Sequence, residues 1–153
     1  MTNNLLTIEH FSKTYKERML FQDADFSLLE GEKVALIGIN GTGKSTLLRI
    51  AAGLTEPDTG QVVRRRNLEI RFLPQNPEFN PGDSLFDAIL HENEGHPHIL
   101  NMEVEARKML GKLGIFDLDQ KIRTLSGGQK KRAALVSCLL STADLLILDE
   151  PTN

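Results

Sequence analysis

The sequence predicts an α/β protein built on a parallel β-sheet. Two apolar runs, Lys33 to Ile37 and Leu145 to Leu148, are typical of strands that are buried on both faces. A glycine-rich loop and a helical segment from about Lys44 to Ala52 follow the first run, which is the order of elements in a parallel sheet. At 153 residues the chain has about the length of one domain and can bury a sizeable core.

The loop after the first strand carries three glycines, then a lysine and two hydroxyl residues. Glycines let the backbone fold tightly and turn its N–H groups towards a triphosphate, and the following helix adds partial positive charge. Lys44 would reach the β- and γ-phosphates, and Ser45 would place its hydroxyl on Mg²⁺. The predicted nucleotide-binding residues are Gly38, Asn40, Gly41, Thr42, Gly43, Lys44, Ser45 and Thr46.

The second apolar strand ends in two carboxylates, Asp149 and Glu150. Parallel sheets bind ligands at the carboxyl ends of their strands, so both side chains should face the phosphate loop. Asp149 is suited to hold Mg²⁺, and Glu150 is suited to orient or deprotonate an attacking water. The alternative is a strand that simply ends in a solvated acidic turn.

A pair of adjacent glycines stands before a predicted helix, in Leu125-Ser126-Gly127-Gly128-Gln129. Ser126 and Gln129 have the spacing of a capping box, which is the local structural interpretation. A helix end built only for stability rarely needs two glycines. Ser126, Gly127, Gly128 and Gln129 are therefore also predicted to form an anion site at the helix N-terminus.

Alternation and helical spacing predict the remaining elements. In chain order these are strands over Leu5 to Phe11 and Phe21 to Leu29, a hairpin of Gln61 to Val63 with Leu68 to Leu73, a short helix over Leu85 to Leu90 capped by Asp83 or Ser84, an amphipathic helix from Met102 to about Gly114, and a helix after Ser126 that carries Ala133 to Leu140. Arg64, Arg65 and Arg66 would lie near the hairpin turn, either in solvent or against RNA phosphates.

Net charge, the lengths of the apolar runs, and the cysteine and histidine content bear on which classes of protein this sequence can belong to. The net charge of -3 gives no general attraction to nucleic acid or anionic membranes, and no apolar run is long enough to span a bilayer. Cys138 is the single cysteine and is expected in the core. His91, His96 and His98 are read as part of a loop rather than a metal site. No signal peptide is evident, so a soluble, cytoplasmic protein is expected.

Taken in order, these motifs resemble those of the ATP-binding cassette (ABC) family. Gly38 to Thr46 resembles the Walker A loop, Leu125 to Gln129 the ABC signature, and Leu145 to Glu150 Walker B. Gln75, in Leu-Pro-Gln, resembles the Q-loop glutamine. Tyr15 lies where the family carries an aromatic that stacks on adenine, and the alternative is an ordinary tyrosine at a strand end.

The resemblance implies an α/β P-loop NTPase fold of ABC type, with ATP and Mg²⁺ as cofactors. The domain would then have three parts: an antiparallel β subdomain with the Walker A core over residues 1–75, a helical subdomain over 76–124, and the signature helix with the Walker B strand over 125–153. Two such domains would pair head to tail, and the signature residues of one would contact the ATP of the other. Gln75 would contact Mg²⁺ and the attacking water and relay the nucleotide state to the helical subdomain.

In the family, Walker B is followed by a further loop, a strand and a switch histidine. All four histidines of this sequence precede Asp149. The expectation is therefore a partial domain whose C-terminal part is missing, which binds ATP but hydrolyses it poorly by itself, whereas the complete protein is an ATPase.

Smaller features favour the soluble ABC-F subfamily, whose members carry two cassettes in one chain and act on ribosomes. These features are Glu150-Pro151-Thr152-Asn153, the basic residues 130–132 after the signature, and the short path from Arg64 to Gln75. The expected partners are then a second ABC domain and the ribosome with its RNA, with no DNA. Only residues 76–124 separate Q-loop from signature, which leaves no room for the long helical arm of many ABC-F first cassettes. This spacing fits three kinds of ABC domain: the second cassette of an ABC-F protein, an ABC-F protein without the arm, or a transporter ATPase paired with a membrane permease. A non-enzymatic ATP-binding module is the third hypothesis.

Overall fold

The computed structural model describes residues 3–94 and 101–151. The chain divides into two compact units, residues 1–70 and 71–153. Within the described residues, no helix is long and apolar enough to cross a membrane.

The first unit is an antiparallel sheet with one helix. Strand β1 spans Asn4–Tyr15, β2 spans Arg18–Leu29, helix α1 spans Lys44–Ala51, and β3 spans Thr59–Arg64. The strand order is β2-β1-β3, with β1 antiparallel to both neighbours. The two N-terminal strands and the helix after the phosphate loop are thus where the sequence predicts them.

Alternate side chains of β1 form the buried face of this sheet. Leu6, Ile8 and Phe11 are almost completely buried, and the Phe11 ring lies 5.0 Å from that of Phe21 on β2. Burial of these apolar faces stabilises the sheet.

The predicted buried strand over Lys33 to Ile37 is wrong for the structure. Residues 33–40 have no regular secondary structure, and the Ile37 side chain is 95% exposed. A strand needs a neighbour that completes its hydrogen-bond ladder. An apolar run shows only that a segment could be buried, and among the described residues none pairs with this one.

The predicted hairpin between β3 and the next strand is also wrong. Strand β3 pairs with β1, whereas β4, Ile70–Leu73, pairs with β5, Leu145–Leu148. Arg64 is not at a solvated turn, because its guanidinium donates to the carbonyls of Ile50 (2.8 Å) and Ala51 (3.3 Å) at the end of α1. Carbonyls in the last turn of a helix carry partial negative charge and favour a cation.

The described part of the second unit contains β4, β5, three α-helices and a short 3-10 helix over Ile122–Thr124. Helix α2 spans Leu85–Glu92, α3 spans Met102–Lys112, and α4 spans Gly127–Leu140. Their apolar faces meet in one core, whose most buried members are Leu85, Ile89, Ala106, Leu110, Ile115, Ile122, Ala133 and Val136. All three helices agree with the sequence predictions.

Two capping boxes fix the starts of α2 and α4. Of the two candidate caps for α2, Ser84 is the one used, and it forms its box with Asp87. These bonds, with the Ser84 hydroxyl the largest contributor, hold the pKa of Asp87 below its usual value. Ser126 caps α4 with Gln129, as the spacing predicts.

Candidate nucleotide-binding site

The phosphate loop reaches helix α1 through two glycines in left-handed conformations. Gly41 has φ 81° and Gly43, the N-cap residue, has φ 99°. A Cβ atom on Gly43 would lie 2.8 Å from the Phe21 ring. Both its dihedral angle and the available space therefore require glycine at this position.

Lys44 is folded back over the loop that precedes it. Its Nζ donates to the carbonyls of Gly38 at 2.7 Å and Ile39 at 3.0 Å. The Thr42 hydroxyl also donates to the Ile39 carbonyl, at 2.9 Å. The loop is thus closed around an ammonium group at the N-terminus of α1, an arrangement suited to binding an anion.

The turn between β1 and β2 lies beside this loop. Tyr15 ends β1, is 62% exposed, and pairs with Arg18 at the start of β2. The Arg18 Nη1 atom lies 3.8 Å from the Cβ position of Gly41. The first unit therefore brings together an exposed aromatic, a guanidinium and the phosphate loop. No sequence motif indicated Arg18, and the available signal was a basic residue close to the turn between two predicted strands.

The ends of β4 and β5 bring Gln75 and Glu150 together. Gln75 Nε2 donates to Glu150 Oε2 at 2.7 Å. Asp149, whose side chain is buried, is fixed by a backbone bond of 2.9 Å from its N–H to the Leu73 carbonyl. A shallow surface depression lies here, lined by Leu73, Pro74, Gln75, Pro77, Lys131, Glu150 and Pro151.

Asp149 and Glu150 belong to the second unit and the phosphate loop to the first. The prediction that these carboxylates face the loop stays a prediction. The buried Asp149 and the half-buried Glu150 do not form the freely solvated acidic turn that was the alternative.

The signature segment combines a closed cap with open glycines. Gln129 N–H donates to Ser126 Oγ at 3.2 Å, and Ser126 N–H donates to Gln129 Oε1 at 2.9 Å. A Cβ on Gly127 would meet nothing within 4 Å, and one on Gly128 would meet only the Arg132 guanidinium at 3.8 Å. Packing among residues 3–94 and 101–151 therefore does not explain the glycines, which leave the helix N-terminus accessible.

The oxygen donors available suit magnesium. Ser45 in the first unit offers a hydroxyl, Asp149 in the second unit offers a carboxylate, and each is an oxygen donor of the kind that Mg²⁺ binds together with phosphates and water. No group of three or more metal-binding side chains occurs among residues 3–94 and 101–151. His91 is in the last turn of α2 and pairs with Asp83 at 3.1 Å, whereas His96 and His98 lie outside the described residues.

Comparisons with known proteins agree with this geometry. The family described as ABC transporter matches residues 21–153. The chain is 35% identical over 98% of its length to the ABC transporter ATP-binding protein YfmR of Bacillus subtilis. It is 31% identical over 90% of its length to the energy-dependent translational throttle protein EttA of Escherichia coli K12. It is 36% identical over 96% of its length to the zinc import ATP-binding protein ZnuC of Acinetobacter baylyi.

The chain covers only part of these relatives. It spans 30% of the length of YfmR, 31% of EttA and 55% of ZnuC. Among solved structures, an ABC transporter ATP-binding protein from Pyrococcus furiosus superposes with a TM-score of 0.80 at 26% identity, over 95% of this chain and 75% of the other.

Proposed function

Because the chain belongs to the ABC transporter family, whose domains bind ATP, we propose that it is part of a Mg²⁺-dependent ATPase. Its fold is the mixed α/β P-loop fold of these ATPases, with an antiparallel β subdomain and parallel strands, as the sequence predicts. The observation that carries the proposal is the phosphate loop, closed around Lys44 at the start of α1.

Each site residue has a role that its chemistry supports. Lys44 and the N–H groups of the loop bind the phosphates, and Tyr15 stacks on the adenine. Ser45 and Asp149 would hold Mg²⁺, which supplies charge neutralisation at the phosphates. Glu150 orients and deprotonates the attacking water, and Gln75 orients Glu150 through the 2.7 Å bond.

We propose that a second ABC domain completes the site head to tail. The support is the accessible N-terminus of α4, where the chain's own packing does not require Gly127 and Gly128. Ser126, Gly127, Gly128 and Gln129 would approach the γ-phosphate held by the partner domain. The two domains would close together when ATP binds and separate after hydrolysis, and this movement would be the mechanical output.

The finer proposal is an ABC-F type ATPase that acts on the ribosome in the cytoplasm. It is supported by the residues around the signature and Walker B and by the match to EttA, whose name gives it a role in translation. The absence of a long segment between Gln75 and Ser126 fits a second cassette or an armless member.

A transporter ATPase is the second candidate, and two observations favour it. ZnuC, whose name gives it a role in zinc import, is 36% identical. The second unit also exposes three large apolar side chains on and after α3, Val104, Leu113 and Phe116, the last of them 75% exposed. A membrane permease would need an apolar surface of this kind for its coupling helix.

Sedimentation of the Glu150→Gln variant tests these two candidates. In the intact protein this change should preserve ATP binding and trap the closed state, because the base is lost. ATP-dependent recovery of the variant with salt-washed ribosomes is the result expected for the ABC-F proposal. Lys44→Ala combined with Glu150→Gln is the matched control, since it should not bind ATP tightly and should not sediment.

Recovery in the membrane fraction, with none in the ribosomal pellet, would contradict the ABC-F proposal and support the transporter. ATP-independent recovery with ribosomes, equal in the Lys44→Ala control, would also contradict it, because the nucleotide would then play no part in association.

A further inference from the structure

Asp58 connects the loop after α1 to the strand that carries Tyr15. Its carboxylate accepts from Lys13 Nζ at 2.7 Å and from the Thr14 N–H at 2.7 Å. Its own N–H donates to the Ser12 carbonyl at 2.9 Å. Thr14 immediately precedes Tyr15, so these bonds fix the backbone from which the tyrosine projects.

Lys13 adds a fourth bond to the same connection. Its Nζ also donates to the Glu56 carbonyl at 2.8 Å, and its side chain is only 19% exposed. The lysine bond, followed by that from Thr14, holds the pKa of Asp58 below its usual value, so its carboxylate is ionised at neutral pH. Charge-assisted bonds of this kind are shorter and stronger than neutral ones.

The connection joins the two ends of the proposed nucleotide site. Helix α1 begins at Lys44, and residues 52–58 lead from its last turn to Asp58. Helix α1 and residues 52–58 therefore connect the phosphate loop to the part of β1 that carries Tyr15. An exposed tyrosine at a hairpin turn would otherwise lose conformational entropy when adenine orders it.

We propose that Asp58 is a positioning residue that holds Tyr15 ready to stack on the nucleobase. The proposal rests on the proposed function, because it needs ATP as ligand and Tyr15 as its adenine contact. Asp58 would not touch the nucleotide. Its effect would be seen with ligands that carry a base and not with ligands that consist of phosphates alone.

The test compares Mg²⁺-bound ATP with Mg²⁺-bound tripolyphosphate in the intact protein. Loss of one base–aromatic stack in Tyr15→Ala should weaken ATP binding by at least about fivefold and leave tripolyphosphate unchanged. Asp58→Ala should also weaken ATP binding by at least about threefold, as expected for coupled neighbours, with tripolyphosphate again unchanged. In the Tyr15→Ala background, Asp58→Ala should have no further effect on ATP.

Two further variants keep the result interpretable. Asp58→Asn retains an acceptor for Thr14 N–H but loses the charge opposite Lys13, so its effect should be smaller. It also replaces Asp58→Ala in the test should the alanine variant fail to fold. Glu103→Ala removes a comparable exposed carboxylate, paired with Arg107 at 2.9 Å on α3, and should bind both ligands as the wild type does.

Three outcomes would overturn the proposal. Equal weakening of ATP and tripolyphosphate would show that Asp58 supports the phosphate loop instead. Unchanged ATP binding in Asp58→Ala would show that Tyr15 needs no such support, and additive losses in the double variant would show that the two residues act separately. A wild-type protein that binds neither ligand would refute the proposed function, and this inference with it.

Discussion

The side chains of Gln75 and Glu150 are joined by a 2.7 Å hydrogen bond from amide to carboxylate. They are 75 residues apart in sequence but follow two adjacent strands, β4 and β5. The backbone bond between Asp149 and Leu73 fixes the separation of those strand ends. Glu150 itself has φ 49°, a left-handed backbone conformation that is uncommon outside glycine and is often found at functional sites.

Replacing Glu150 by glutamine should separate binding from catalysis. The amide keeps the size of the side chain but cannot accept a proton, so ATP turnover should fall by at least about a hundredfold. ATP affinity should stay within about threefold of the wild-type value, because the general base acts in the transition state and is not needed to bind ATP. Phosphate release and equilibrium ATP binding of the intact protein measure the two effects.

Glu78→Gln is the matched control for that variant. It makes the same chemical change on an exposed side chain close to Gln75 in sequence, and turnover should remain normal. Turnover of Glu150→Gln within about threefold of wild type would place the general base on another residue.

Replacing Lys44 by alanine should abolish tight Mg²⁺–ATP binding. The substitution removes the two hydrogen bonds from Lys44 to the carbonyls of Gly38 and Ile39, which close the loop. It also removes the positive charge that would bind the phosphates. Loss of two charge-assisted hydrogen bonds corresponds to at least about a hundredfold in affinity. Lys33→Ala, an exposed lysine before the loop, should bind normally, and equal affinity in both variants would disprove the role of Lys44.

Local patterns predicted the elements whose stability is local. Ser126 and Gln129 define the start of α4, and both stand within one helical turn of each other. The pairing of β4 was not predictable in this way, because its partner β5 begins more than 70 residues later. Hydrophobic alternation indicates that a segment can be a strand but contains no information on which edge completes its hydrogen bonds.

Side chains that act on distant backbone groups were equally hidden in the sequence. Arg64 stands in a run of three arginines that suggests a solvated turn, yet it binds the C-terminal carbonyls of α1. Asn93 reads as a loop residue, yet it is buried and donates to the Ile89 carbonyl at 2.8 Å and to Ser137 Oγ at 3.0 Å. The bonds from Arg64 to α1 and from Asn93 to Ser137 depend on packing between elements, whereas the bond from Asn93 to Ile89 is local to the end of α2.

Cys138 should react slowly with alkylating reagents while the protein is folded. Burial raises the pKa of the thiol more than the nearby Arg71 lowers it, and the raised pKa disfavours the reactive thiolate. At pH 8 its reaction with iodoacetamide should be at least about tenfold slower than that of the same protein in denaturant. Mass spectrometry of timed samples measures this. Equal rates would contradict the core position that both sequence and structure give this residue.

Gly60 should tolerate no side chain, for two separate reasons. Its φ of 90° is left-handed, and a Cβ atom there would lie 2.4 Å from the Glu9 carbonyl and 2.6 Å from the Phe11 Cα. Both contacts are with the backbone of β1, which cannot move without breaking its pairing with β3. Gly60→Ala should therefore lower the free energy of unfolding by about 3 kcal/mol or more, the sum of left-handed strain and overpacking.

Gly31→Ala separates these two causes. Gly31 has a similar φ of 80°, but a Cβ there would meet nothing within 4 Å, so only strain of about 1 kcal/mol remains. Denaturant unfolding of the two variants and the wild type gives the comparison. A smaller or equal loss for Gly60→Ala would show that β1 yields to the new methyl group, and the close approach of β3 to β1 would then not be a rigid feature of the sheet.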